Sequence, residues 1–348
     1  MTAVITVDAE NPDPAAIARA ADCLRRGGLV AFPTETVYGL GAHALDRRAV
    51  ARLFEAKGRP ATDPLIVHVT TSSDAAALVT QVPDIARTLA SRFWPGPLTL
   101  VLPRAAVVPP EVTAGLDTVA LRAPAHPVAR ALLAAARLPI AAPSANLFSR
   151  PSPTRAEHVL EDLGGRIDIV LDAGPTHVGV ESTVLDLTRT PPVLLRPGAV
   201  TLEQLRAIVP EVTLRTATPA PGVAMPSPGL LSRHYAPRTP MTLYEGAPTA
   251  ARDRLRAAVR DALAAGQRVG VLLTAEHAHI FRDVPVVVAE LGTERDPHAV
   301  AARLYAALRE LDAAQLDIIV AADLPQEDGL WRALRDRLRR AAAQIVST

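Results

Sequence analysis

The sequence predicts a two-domain α/β protein. Three observations carry this. Short apolar runs alternate with helical patterns through the first two-thirds of the chain, a proline-rich stretch then breaks all periodicity, and strand–helix alternation restarts beyond it. The length of 348 residues agrees, since a domain takes roughly 150. The expected divisions are a first domain over 1–216, a linker over 217–240 and a second domain over 241–348.

Val4 to Val7 reads as the first strand. A helix follows over 11–26, with Pro14 near its first turn and Gly27-Gly28 as its stop. Leu29 to Phe32 is the next strand, and 46–56 a helix capped by Asp46. Further strands are expected at 65–69, 98–102, 119–122, 139–141, 167–171, 182–187 and 193–195, with helices over 82–93, 127–136, 155–163 and 202–208. That pattern fits a mixed sheet whose long loops begin where strands end. Six prolines from Pro219 to Pro240, with Gly222 and Gly229 among them, make the linker extended and polyproline-like in parts. Beyond it, strands are expected at 241–244, 268–273, 284–288 and 316–321. Helices are expected over 249–264, with Thr249 as cap, 298–311 and 330–343. Such regular alternation suggests a small parallel, Rossmann-like sheet.

Composition narrows the function classes. Lys and Arg number 37 against 36 Asp and Glu, a net charge of +1, which argues against a protein living mainly on phosphate-backbone attraction but leaves room for a local basic cleft. Aromatic residues are only 3% of the chain, so stacking platforms for single-stranded nucleic acid are scarce. One cysteine, Cys23, excludes an internal disulfide and any cysteine-rich metal site. The first residues carry no basic segment of a signal peptide, and no apolar run spans a membrane, so a cytoplasmic protein is expected. Lys57 is the single lysine beside 36 arginines, and Asn146 is one of two asparagines. Coding bias accounts for much of that. Even so, a site needing a compact, rotatable ammonium cannot take a planar guanidinium, and both residues stand at the ends of apolar segments.

Several sites can be closed. A P-loop needs Gly-Lys-Ser/Thr, and Lys57 is followed by Gly58. Gly39-Leu40-Gly41-Ala42-His43-Ala44 imitates a dinucleotide fingerprint but is separated from its strand. His277-Ala278-His279 has no third ligand at metal spacing and reads as a solvated helix end. The arginine-rich stretch 331–340 has apolar Trp331, Leu334 and Leu338 at helical spacing, so it reads as a packed helix with a charged outer face. What remains is polar and lies at strand ends in the first domain. Lys57 and Arg59 straddle Gly58, Pro143-Ser144-Ala145-Asn146 and Arg150-Pro151-Ser152-Pro153 offer hydroxyls, an amide and a cation, and Arg196-Pro197-Gly198 ends another strand. Such donors suit a triphosphate where no P-loop is present.

Six ordered motifs carry a further reading: Pro33-Thr34-Glu35-Thr36-Val37-Tyr38-Gly39-Leu40, Lys57-Gly58-Arg59-Pro60, Trp94-Pro95-Gly96-Pro97-Leu98-Thr99, Ala142-Pro143-Ser144-Ala145-Asn146, Gly179-Val180-Glu181-Ser182-Thr183 and Leu195-Arg196-Pro197-Gly198. Together they resemble the YrdC-like family. Ser227-Pro228-Gly229, Arg233-His234-Tyr235-Ala236-Pro237 and a further domain resemble its long, two-domain form. The resemblance implies a twisted mixed sheet with a concave cleft in the first domain, and one reaction. L-threonine, bicarbonate and ATP, the last with Mg2+, give threonylcarbamoyl-AMP and pyrophosphate. A downstream threonylcarbamoyl transferase then modifies tRNA next to the anticodon. By the same resemblance ATP meets Lys57, Arg59, Thr118, Ser144, Asn146, Ser152 and Arg196, with His234 and Tyr235 joining from the linker as part of a lid. Lys57 and Arg59 are the expected catalytic cations. Threonine meets Thr34, Tyr38, His68, Arg122, the backbone of Ala142, and Ser182. The Arg122 fork suits a carboxylate. Asp63, in Ala61-Thr62-Asp63-Pro64, stands where the family usually has Asn, and its role stays open: it faces Mg2+ or turns away. No membrane and no stable nucleic-acid complex are expected. The competing readings are a non-catalytic RNA-binding module and a carbamoyl-transfer domain.

Overall fold

In the computed structural model, β1 (Ala3–Thr6) leads to α1 (Pro14–Arg25), whose cap is Asp13: its carboxylate accepts from the amides of Ala15 and Ala16 at 3.3 and 3.2 Å. Residues 1–215, 223–231, 233–246 and 248–347 are described, without the side chains of 248 and 249. The expected first-domain boundary, the start of the linker and the cap expected of Thr249 therefore lie outside the described residues.

β2 (Val30–Pro33) turns back into β3 (Tyr38–His43), antiparallel, with Pro33 opposite Tyr38. The stretch expected as a strand-end loop is thus a hairpin. Its glycines conceal the strand in the sequence, yet Gly41 has a packing reason, because a Cβ there would lie 2.9 Å from both Phe32 and Ile140. α2 (Arg47–Lys57) is capped by Asp46 as expected and stops at Gly58, which adopts the left-handed conformation at φ 62°. There follow β4 (Ile66–His68), α3 (Ser72–Ala76), α4 (Asp84–Phe93), β5 (Leu98–Pro103), β6 (Thr118–Arg122), α5 (Pro127–Ala136) and β7 (Ile140–Ala141). Then come α6 (Ala156–Leu163), β8 (Ile169–Asp172), β9 (Thr183–Asp186), β10 (Val193–Arg196), α7 (Leu202–Arg206) and β11 (Thr213–Leu214). The eleven strands form one mixed sheet in the order β1-β8-β2-β3-β7-β4-β6-β5-β9-β10-β11.

Alternation along these strands separates core from site. Leu65, Val67, Leu98, Leu100, Val119, Leu121, Leu185 and Leu194 join the larger apolar cluster. Their neighbours Ile66, Val101, Ala120, Val184 and Leu195 form a small separate cluster on the other face. By the two-residue period of a strand, that second face also carries His68, Thr99, Thr118 and Arg122.

The chain divides into two units, one of residues 1–148 and 152–230, the other of 149–151 and 231–348. The described part of 217–240 is accordingly shared between them. The second unit runs β12 (Met241–Glu245), α8 (Pro248–Ala264), β13 (Val269–Leu273), α9 (Ala275–Ala278), β14 (Val287–Glu290), α10 (Pro297–Ala313), β15 (Ile318–Ala322), α11 (Gly329–Ala341) and β16 (Gln344–Ser347). Its sheet is parallel throughout, in the order β14-β13-β15-β12-β16, so β15 separates the first two strands of the unit. α11 ends where Ala342 becomes extended, which frees the last residues to form β16 on the edge. Trp331, Leu334 and Leu338 are buried as their spacing predicts, but Arg337 is at 0% exposure too, so the helix's charged residues do not all face outwards. His277 Nε2 lies 3.1 Å from Glu294. No cluster able to hold a metal occurs among the described residues, and no helix there is long and apolar enough to cross a membrane.

Candidate active site

The β2–β3 turn is held by Thr34. Its hydroxyl donates to the Val37 carbonyl at 2.6 Å and accepts from the Thr36 amide at 3.2 Å, so one side chain ties both ends of the turn together. The backbone of Glu35 and Thr36 then accepts from Val178 and Gly179 at 2.9 and 3.0 Å, which docks the loop before β9 against the hairpin. Tyr38 is fully buried, and its hydroxyl donates to the Gly174 carbonyl at 2.7 Å. Burial raises that phenol above its ordinary range.

Glu35 supplies a contact that Arg122 needs. Its Oε1 lies 2.6 Å from Arg122 Nη2, while Oε2 accepts from the Ala125 amide at 3.0 Å. Arg122 Nε donates to the Gly96 carbonyl at 3.2 Å. Both side chains are nearly buried, and each would be costly there alone. His68 stands opposite Arg122 in the β4–β6 register. Burial first, and the Arg122 charge second, pull its pKa from 6.5 to about 3, so the imidazole is neutral at physiological pH. Its Nδ1 has no hydrogen-bond partner among the described residues. The Ala142 amide donates to the Ile66 carbonyl at 2.9 Å, next to this pair along β4.

The second group forms around the end of α2. Residues 143–146 continue β7 alongside β3: Leu40 donates to Pro143 O and Ala145 to Tyr38 O, both at 2.8 Å. The Lys57 ammonium, 1% exposed, donates to the carbonyls of Ser144 and Asn146. Burial and the neighbouring Arg59 push its pKa well below the usual lysine value. Arg59 is drawn inward as well. Its Nε and Nη2 donate to the carbonyls of Asp63 and Pro64 at 3.0 and 2.7 Å, and its guanidinium lies 5.9 Å from the Phe148 ring centre. Asp63 turns into the protein, with Oδ1 3.0 Å from Arg59 Nη2.

Arg196 reaches the site through an irregularity of register between β9 and β10. It donates to the Ser182 carbonyl and hydroxyl, each at 3.1 Å, and to Pro228 O at 3.3 Å. Ser182 also shares a hydrogen bond of 2.8 Å with Thr99. Gly198 permits this, since a Cβ there would stand 2.4 Å from the Thr183 nitrogen and 2.5 Å from the Glu181 oxygen. Ser152 is fully buried and donates to Glu181. Thr118 is half-buried at the start of β6, the opposite end from Arg122.

Thr34, Tyr38, Lys57, Arg59, His68, Thr118, Arg122, Ala142, Ser144, Asn146, Ser152, Ser182 and Arg196 therefore all belong to the first unit. His234 and Tyr235 belong to the second. There the His234 amide donates to Arg340 O at 2.9 Å, and Tyr235, at φ 60°, packs its ring 5.6 Å from that of Tyr305 and beneath Arg337. Glu35 and Thr99 were not legible from the sequence as site residues. Glu35 lies inside the first motif, but a glutamate in a turn signals solvent unless its distant cation is known.

This geometry is that of a known class. Residues 22–198 match the family model described as telomere recombination, the Sua5–YciO–YrdC family, and residues 200–343 match the C-terminal domain of threonylcarbamoyl-AMP synthase. The chain belongs to this family. It is 45% identical to the threonylcarbamoyl-AMP synthase of Pyrococcus abyssi over 351 residues, 99% of each chain. The Bacillus subtilis threonylcarbamoyl-AMP synthase is 46% identical over 343 residues, covering 98% of this chain and 97% of that one. The crystal structure of Pyrococcus abyssi Sua5 complexed with L-threonine is 44% identical and matches with a TM-score of 0.93 over 100% of both chains.

Proposed function

We infer that this chain is an L-threonylcarbamoyladenylate synthase, making threonylcarbamoyl-AMP and pyrophosphate from L-threonine, bicarbonate and ATP. The observation that carries this is likeness along the whole chain, in both domains, to threonylcarbamoyl-AMP synthases. The chemistry of the buried groups supports it. The threonine amine first bonds the bicarbonate carbon, and water leaves. A carbamate oxygen then attacks the α-phosphorus, and the bond to the β-phosphate breaks to release pyrophosphate. An anion attacking a polyanion needs positive charge fixed beforehand and reactants held in line.

In this reading Lys57, Arg59 and Arg196 offset the phosphate charge, with Thr118, Ser144, Asn146 and Ser152 as polar partners of the nucleotide. Lys57 also laces the Ser144–Asn146 loop to α2, so it shapes the site as well as charging it. Arg122 takes the threonine carboxylate while Glu35 holds its other edge, and neutral His68 offers the substrate hydroxyl a hydrogen-bond partner without placing a second cation beside Arg122. Thr34, Tyr38, the Ala142 backbone and Ser182 complete that side. Mg2+ would accompany ATP as part of the substrate and would offset part of its phosphate charge. The product passes to a transferase acting on tRNA, in the cytoplasm and without a stable nucleic-acid complex at this stage. Incubation with 13C-bicarbonate tests the reading. The adenylate formed carries the label in its carbamoyl carbon, whereas an unlabelled threonyl adenylate would overturn it.

A further inference from the structure

Asp63 is a carboxylate that the proposed reaction leaves unused, set among the cations it uses. Its side chain is 2% exposed. Arg59 sits 3.0 Å away, and Lys57 and Arg196 are the other positive charges acting on it. A buried carboxylate ordinarily gathers aligned donors. Neither oxygen of Asp63 accepts an aligned hydrogen bond among the described residues, because the Arg59 guanidinium directs its N–H groups at the carbonyls of Asp63 and Pro64. Asp63 is thus held by charge and not by a hydrogen-bonding cradle. Lys57 has a second acid acting on it, Asp162, and Arg59 pairs with Asp63.

Buried cations without anions are costly. We propose that Asp63 is a built-in counter-anion of the nucleotide site. It neutralises Arg59, Lys57 and Arg196 in the empty protein and opposes the phosphate chain that later claims the same charges, so it lowers affinity for ATP and speeds release of pyrophosphate. This rests on the reading of the site given under Proposed function.

The test is calorimetric binding of inorganic pyrophosphate, and separately of adenosine, to full-length wild-type and Asp63→Asn proteins, each with Mg2+ and with EDTA. The substitution removes charge at nearly constant shape. Pyrophosphate binding tightens by roughly three- to tenfold, and adenosine binding is unchanged. Asp63→Ser shifts binding the same way, and thermal unfolding checks that each variant is folded. Unchanged or weaker pyrophosphate binding in the folded variants overturns the proposal. Weakening seen only with Mg2+ overturns it too, by making Asp63 a metal ligand, and failure of both variants to fold makes it a structural counter-ion alone. Wild-type protein that binds neither pyrophosphate nor ATP overturns the functional reading as well.

Discussion

At the scale of single residues, burial sets the chemistry. His68 has a folded pKa of about 3 against 6.5 for a free imidazole, so the unfolded chain binds a proton there more readily than the folded one. Its contribution to stability is complete above pH 6.5 and is lost as pH falls towards 3. His68→Asn should therefore flatten the decline of unfolding free energy between pH 6.5 and 4 relative to wild type, measured by urea titration; parallel curves would contradict the burial argument. Lys57 gives the second prediction. Removing its ammonium leaves two buried carbonyls unpaired, so Lys57→Met should cost about 1–3 kcal/mol of stability and most pyrophosphate release. Lys57→Arg should recover little, since a planar fork cannot occupy the space of a point charge; full activity would contradict this. Lys57 as a candidate was legible because a lone lysine among arginines is conspicuous. Its inward direction was not, because that depends on where β7 returns past α2.

At the scale of elements, close approach of backbones builds the site. Gly198 lets the turn after β10 lie against residues 181–183. The three atoms nearest to a Cβ there are main chain, which cannot rotate away. Gly198→Ala should destabilise the protein by roughly 2 kcal/mol or more, read as a lower Tm, and should raise the KM for ATP by shifting Arg196 from Ser182. An unchanged Tm would contradict it. Most helices were legible from caps and spacing: Asp46 starts α2 and Gly58 ends it as their chemistry dictates. The missed elements have physical reasons. β3 carries two glycines, α3 is five residues long, and β11 and β16 are short edge strands supported mainly by a neighbour.

At the scale of the whole molecule, the proline-rich segment behaves as two pieces. Met225 donates to Thr62 O at 2.9 Å and Pro228 accepts from Arg196, both within the first unit, while residues from 231 onward belong to the second. A fragment of residues 1–230 should therefore fold and melt several degrees above one of residues 1–215, which lacks those contacts. Equal melting temperatures would show that 223–230 adds nothing. The division into two α/β parts was readable from the break in periodicity, but this sharing of the linker was not, since proline content marks extension and not attachment. The most direct measurement is pyrophosphate release from ATP by the full-length protein, with L-threonine and bicarbonate together and with each omitted. Release should require both, and threonylcarbamoyl-AMP should accumulate with it. Release that persists at the same rate without threonine, or without bicarbonate in carbon-dioxide-free buffer, would contradict the assignment.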